Sequence, residues 1–414
     1  MRSISSLLLT GAMAFSLSAQ TALTWEQVKQ RFSVANPTLM AGQTSIDESK
    51  AEEITAYLRP NPNFSILADQ IQPLPSTGTP YRPFGGSFPV ISFDYLHERQ
   101  HKRELRLKSQ QDATAIAVSQ QADQERNLLF NLRSAFVQTL QAKAQLALAI
   151  ANREYFDKEY SIFEERYRSG DLAQVDMQRF HLERVQYEQD YENALVTLRT
   201  AKITMIMLLN ERVPIDRFDV TGRFDFDETL APLEQFRNIA LTERPDLQAA
   251  VETVAKAETD HKLAVANGST DPTFSVDFGR SAPTAYFGVG VSIPLRIFDR
   301  NQGEKMRTEI DIKHAQQLKD AASAQVFSDV DSAYVTLLSV LNQLKPYRAT
   351  YVREAGEVRD KISYSYEHGG AALLDYLDAQ RDYRTVQQAY LGLIGSYLTA
   401  AAQLNMSIGK EELK

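Results

Sequence analysis

The chain has no cysteine, which excludes disulfides, thiolate metal sites, thiol catalysis and a lipid-bearing cysteine. It has little histidine: His181, His261, His314 and His368 stand alone, and the methionines form no cluster suited to a copper relay. Positive charge is the minority, with 45 Lys and Arg against 53 Asp and Glu and a net charge of −8; this argues against a nucleic-acid partner. Phosphate-binding loops and catalytic serine motifs are not evident. No stretch after the N-terminus reaches 18 uninterrupted apolar residues; the nearest, Leu391 to Met406, is broken by Ser, Thr, Gln and Asn. A chain of this kind enters a membrane only by strands.

The N-terminus supplies what the rest lacks. Met1-Arg2, an apolar stretch from Leu7 to Leu17 and the small residues before Gln20 read as a secretory signal over residues 1–19, with Ala22 as a second cleavage candidate. The mature protein is expected outside the cytoplasm.

The remainder is written twice. Asn36-Pro37-Thr38-Leu39 returns as Arg244-Pro245-Asp246-Leu247, and Pro62-Asn63-Phe64-Ser65-Ile66 as Pro272-Thr273-Phe274-Ser275-Val276. Leu132 to Val137 returns as Val330 to Val335, and Tyr167-x-x-Gly170 with Asp176 as Tyr366-x-x-Gly369 with Asp375. Order is kept while the offset varies only between 198 and 210, so a tandem duplication sets the architecture. The first repeat is placed at 24–210, a linker at 211–232 and the second repeat at 233–409.

Each repeat reads as helix, hairpin, very long helix, turn, helix. The first helices are expected over Thr24 to Leu58 and Leu233 to Ala266. Strands follow at about 62–72 and 88–96, then 272–280 and 285–294, where Phe274, Val276 and Phe278 alternate with Ser275, Asp277 and Gly279. That period of two gives one apolar and one polar or small face, as in a membrane barrel wall or a soluble sandwich. The long helices, Glu98 to Arg168 and Asn301 to Glu367, would each run on the order of 100 Å and project into water. Pro346 reads as a kink in the second. Turns are expected at about 168–172 and 367–372, with return helices over Leu172 to Leu209 and Ala372 to Ile408. Val326, Val330, Ala333, Leu337, Val340 and Leu344 step by alternating fours and threes, a coiled-coil seam that Leu128, Leu132, Ala135, Thr139, Ala142 and Leu146 repeat. Four strands cannot close in hydrocarbon, so several chains must share a barrel. Two chains give a filled barrel of eight strands; three give twelve and leave a lumen.

With the duplication, Arg244-Pro245-Asp246-Leu247, Ile293-Pro294-Leu295, Phe298-Asp299-Arg300-Asn301-Gln302-Gly303, Tyr366-x-x-Gly369 and Leu374-Asp375-Tyr376-Leu377-Asp378-Ala379 in this order, the chain resembles the TolC-like outer-membrane efflux family over nearly its whole mature length. The wording from Phe298 to Gly303 is most similar to members serving heavy-metal RND pumps. The resemblance implies a mainly α fold with a small membrane β part: a homotrimer whose twelve-stranded barrel in outer-membrane lipid continues into a helical barrel. It also implies a periplasmic adaptor, an inner-membrane pump of RND type, metal cations as cargo, and no cofactor or catalysis. A multidrug or type I secretion duct, a periplasmic coiled-coil scaffold and a zinc hydrolase are the alternatives.

Asp375 and Asp378 lie three apart near a helix start; in a trimer they would form two carboxylate rings at a narrow mouth, while the plain reading is complementation of a helix N-terminus. Gly170 and Gly369 are expected to end the long helices in the left-handed conformation. The resemblance makes their turns, with Asp176 and Tyr366, the adaptor contact, although Asp176 alone reads better as a cap. Ala371 stands where some members carry a basic residue. His97-Glu98-Arg99-Gln100-His101 fits a zinc-protease pattern, but it falls at a strand-to-helix junction and its counterpart from Asp299 to Gly303 has no ligands; a polar collar is the simpler reading.

Overall fold

The computed structural model describes residues 22–413 apart from residues 282–283 and most of 70–87. The signal segment and most of the long loop after β1 lie outside the described residues. The elements run α1 (Trp25–Ala35), α2 (Pro37–Tyr57), β1 (Asn63–Asp69), β2 (Phe88–Leu96), α3 (Lys102–Ser169) and α4 (Gln174–Leu208). After a linker they repeat as α5 (Leu233–Glu243), α6 (Pro245–Asn267), β3 (Thr273–Ser281), β4 (Thr284–Ser292), α7 (Gln302–Pro346), a π-helical turn (Tyr347–Tyr351), α8 (Val352–Glu367) and α9 (Leu373–Ile408). The fold is mainly helical with one small antiparallel sheet.

The first helix of each repeat is broken, which corrects the continuous helices expected from the sequence. Asn36 and Arg244 sit at φ −74, ψ 118 and φ −75, ψ 119, the extended conformation that a following proline imposes. Pro37 and Pro245 then open α2 and α6 at a position where the missing N–H is not needed.

Helix ends repeat as faithfully as helix starts. Gly170 (φ 86) and Gly369 (φ 74) are left-handed, and the residue after each donates five back, Asp171 to Arg166 O (2.8 Å) and Gly370 to Ser365 O (2.7 Å). This is the Schellman closure of the last turn. The same closure ends α4 at Asn210 (φ 52) and α9 at Gly409 (φ 79), with Glu211 donating to Ile206 O and Lys410 to Asn405 O. Gly409 needs to be glycine: a Cβ would lie 2.8 Å from the Glu243 carbonyl oxygen.

Pro346 does not kink the chain by itself. It keeps helical angles (φ −62, ψ −37), and the irregularity is the π turn after it, where Val352 N–H reaches back five residues to Tyr347 O. The seam on α7 holds at Val326, Val330, Ala333, Leu337 and Leu344, but Leu341 is the buried residue and Val340 is only half-buried. On α3 the seam holds at Leu132, Ala135, Thr139 and Ala142 and the buried set widens to Phe136, Val137 and Leu140, while Leu128 and Leu146 are half-buried.

The chain divides into two compact units that cut across the duplication. The first comprises residues up to 36, 131–228 and 340–399. Its core includes Phe32, Phe136, Phe218 and Phe226, with Trp25 edge-on to Phe136; at one end it carries the turns between α3 and α4 and between α8 and α9. The second comprises 37–130, 229–339 and 400–414; it buries Phe236, Val330, Leu337, Leu404 and Ile408 and carries the sheet.

Candidate functional site: the sheet and the helix turns

The sheet has the order β1-β2-β3-β4, so the two hairpins, one from each repeat, join through β2 and β3. The register aligns their side chains in rows. Phe64, Phe93, Val276 and Val289 face one another across four strands, as do Ile66, Ile91, Phe278 and Phe287. Between them lie Ser65, Ser92, Asp277 and Gly288, and Asn63, Asp94, Ser275 and Gly290. Successive strand residues point to opposite faces, so these rows make one face apolar and the other polar or small, until Arg280 joins the first face and Leu67, Val90 and Tyr286 the second towards the hairpin ends. Both apolar rows are exposed, with Val289 at 76%. In water such a face is unfavourable by roughly 25 cal/mol per Å²; in lipid it is at home. Among the described residues no helix is long and apolar enough to cross a membrane.

At the end where β2 and β4 finish, irregular segments lead into α3 and α7. Gln100 and His101, like Asn301, take positive φ. Lys102, 4% exposed, is held by Asp271 (2.5 Å) and by the Ser269 carbonyl (3.0 Å); Asn301 is tied to the Ala264 carbonyl. The His-Glu-x-x-His segment lies in this junction and not in a helix: Glu98 is taken by both guanidinium nitrogens of Arg106, and His101 is left in solvent. Among the described residues no group of three or more His, Asp or Glu side chains is placed to hold a metal ion.

The turns between α3 and α4 and between α8 and α9 rest on rings. Phe163 stacks on Phe180 (4.0 Å) and Phe156 on Tyr187 (4.5 Å), while Tyr366 and Tyr376 close on Phe163 at 5.5 and 5.7 Å. This cluster sets Gly170 and Gly369 at the tips of the helix pairs. The buried Tyr376 hydroxyl donates to Glu159 (3.3 Å). Burial raises the Glu159 carboxyl above its ordinary pKa, the Tyr376 hydrogen bond opposes this, and the nearby Glu367 adds to it. Asp375 is exposed and accepts from the Ala372 N–H at 3.3 Å, as a helix-start cap does. Asp378, half-buried, is paired with Arg381 at 2.6 Å; Asp176 lies 3.9 Å from Arg179.

One arrangement escaped the sequence. Arg244, 4% exposed, grips Asp246 (2.5 Å), Asp329 (2.9 Å) and the Ser407 carbonyl (3.1 Å), and Arg126 takes the Met406 carbonyl (2.7 Å). Two guanidiniums thereby satisfy the last carbonyls of α9. The sole signal in the sequence was the repeated X-Pro position, which says nothing of a partner 163 residues away.

Comparison with known proteins points to one family. Residues 237–410 match the family described as outer membrane efflux protein. That stretch is nearly the whole of the second repeat. Over 96% of its length the chain is 24% identical to the cobalt-zinc-cadmium resistance protein CzcC of Cupriavidus metallidurans, covering 92% of that protein. Among solved structures, CusC superposes with a TM-score of 0.78 at 15% identity, covering 93% of this chain and 92% of that one. The outer membrane protein VceC of Vibrio cholerae gives 0.74 at 15%, covering 94% and 96%. Relationship to outer membrane efflux proteins places the chain in the outer membrane with its helical part on the periplasmic side, as an efflux channel and not an enzyme.

Proposed function

We propose that this chain is one of three subunits of a passive exit duct that carries metal cations outward, fed by a periplasmic adaptor and an inner-membrane pump of RND type. The observation that carries the reading is the sheet: four strands with a continuous exposed apolar face and, among the described residues, no strand beyond β1 or β4. Unpaired edges are not tolerated in hydrocarbon, so further copies must supply the missing strands, and twelve leave a lumen whose wall is the Ser, Asp and Gly face. Full-length similarity to CzcC, a cobalt-zinc-cadmium resistance protein, supports metal as cargo. The repeats, 24–210 and 233–409 joined by 211–232, would each place one strand pair in the wall and one helix turn at the periplasmic mouth.

In this reading Asp375 and Asp378 line the mouth, threefold copies favouring cations, while Gly170, Asp176, Tyr366 and Gly369 form the tips that meet the adaptor. The Arg381 partner of Asp378 offsets part of its ring's charge, so Asp375 is the stronger determinant. The deciding experiment is gene deletion with growth measured on zinc, cobalt, cadmium, copper, bile salts and drugs, with complementation. Selective metal sensitivity is expected; sensitivity to detergents and drugs with normal metal tolerance would move the duct to multidrug export. Complementation by Asp375→Ala/Asp378→Ala, with larger single-channel conductance and weaker block by divalent cations, tests the mouth; unchanged currents would remove those residues from it.

A further inference from the structure

The apolar face of β4 does not stop where the strand stops. Pairing ends at Ser292 opposite Thr273, and Pro294 has no N–H with which to continue it. Yet the apolar positions run on as Ile293, Leu295 and Ile297 and then Phe298, with Leu295 80% and Phe298 90% exposed. Nine paired residues at ~3.3 Å, tilted by about 45°, cover about 21 Å, which falls short of an apolar band ~25 Å tall. The exit segment therefore begins inside the band and leaves it at headgroup level.

The charges at this end point the same way. β1 and β3 begin here and β2 and β4 end here, which gathers Arg59, Arg99, Arg296 and Arg300 at one end of the sheet. None of the four makes a direct ion pair with a carboxylate among the described residues, although Arg296 is half-buried with its Nε enclosed and its charge acts on the Asp271 carboxylate; Arg300 donates from its side chain only to the Arg296 carbonyl (3.3 Å). The neighbouring acids are committed elsewhere: Glu98 to Arg106, Asp271 to Lys102, and Asp299 to the Asn301 N–H. Unpaired cations beside exposed aromatic and aliphatic side chains, on a chain that is acidic overall, fit a phosphate-bearing surface with an apolar interior.

We propose that this collar binds phospholipid of the periplasmic leaflet: Phe298, with Leu295 and Ile297, enters the interfacial zone, and Arg296 and Arg300 hold the phosphates of anionic headgroups. Aromatic side chains favour that zone, and arginines beside it are drawn to anionic lipid. Continuity with the lipid-facing rows of β4 selects lipid over a protein partner, which would need a surface distinct from the barrel wall. The proposal rests on the outer-membrane reading.

The test uses the full chain reconstituted in vesicles with and without phosphatidylglycerol. Phe298→Trp and, separately, Val289→Trp are introduced, and each spectrum is compared with that of the unmodified chain to remove the signal of Trp25. Both new tryptophans are expected to emit in the blue and to be quenched roughly twofold by brominated lipid, Phe298→Trp best by bromine near the headgroup and Val289→Trp by bromine deeper in the chains. Arg296→Gln/Arg300→Gln should abolish the extra quenching of Phe298→Trp that phosphatidylglycerol gives. A quenched Val289→Trp beside an unquenched, water-like Phe298→Trp would overturn the collar and leave the membrane reading standing. If neither is quenched, the membrane reading fails and the collar with it. If the arginine changes alter nothing, headgroup recognition is refuted.

Discussion

Replacing Arg244 by alanine tests whether the junction between α5, α6 and the end of α9 depends on one buried guanidinium. The side chain, 3% exposed, bridges Asp246 and Asp329 and caps Ser407. Removing one partner of a buried ion pair costs ~3–5 kcal/mol. Both carboxylates keep about a third of their surface in solvent, 33% and 34%, so water takes over part of the lost interaction and ~2–3 kcal/mol is expected. Asp329→Ala leaves Arg244 with Asp246 and should cost ~1 kcal/mol. The double variant should fall short of the sum by ~1 kcal/mol, since both changes remove one contact. Urea unfolding of the detergent-solubilised protein, followed by helical circular dichroism, measures all three. Arg244→Ala within ~0.5 kcal/mol of the parent would refute the argument. Burial alone would raise the Asp246 pKa; the Arg244 hydrogen bond and charge outweigh it and hold the carboxyl below its ordinary value. The stabilisation is therefore complete above the unfolded pKa of ~3.9 and fades as pH falls through the depressed folded value. The gap between parent and variant should be constant from neutral pH to about 5 and close only below about 4.

Glu159→Gln should stabilise. The Glu159 carboxyl has a raised pKa in the folded state, so its ionised form costs stability above that value and the cost disappears as pH falls below ~4.3. A gain of ~0.5 kcal/mol at pH about 7.5, absent at pH about 4, is expected from urea midpoints; a gain that grows in acid would contradict it. Phe163→Ala removes the ring at the centre of the tip cluster and should weaken local packing by ~3 kcal/mol. Trypsin cleavage at Arg166 and Arg168 should then rise by about a hundredfold, through local opening alone; unchanged cleavage would show the tip held by something else.

Much of the fold was legible because duplication doubles every signal. Gly170 and Gly369 announced the helix ends because each stands at the same place in its copy, and the alternation around Phe274 fixed the strand faces. The broken first helices were readable from Pro37 and Pro245, but apolar periodicity carried across them and hid the break. Val340 was assigned to the seam by extending a strict four-three alternation; a straight helix of 3.6 residues per turn drifts from that repeat, and Leu341 takes the position. The site divides the same way. Asp375 as a helix cap was readable from local spacing, as was the Asp378–Arg381 pair. Arg244 reaching the end of α9, and Tyr376 reaching Glu159, join residues far apart in sequence that no local pattern connects.

The π turn is explained by counting. Val330 answers Leu132 at an offset of 198, and Tyr366 answers Tyr167 at 199, so the second copy holds one residue more between them, where α3 is an uninterrupted helix. A π turn takes in one extra residue without rotating the rest of the helix. If that residue, and not Pro346, causes the irregularity, deleting the exposed Ala349 should convert the turn to ordinary α-helix. Ile362 and Tyr366 would stay against the tip cluster, with trypsin resistance near that of the parent. Deleting the exposed Lys158 from α3 removes a residue that no bulge can supply. It rotates the rest of that helix by about 100°, swings Phe163 out of the cluster and opens the tip to cleavage. Equal damage from the two deletions would show that the π turn carries a packing role of its own, and the insertion argument would fall.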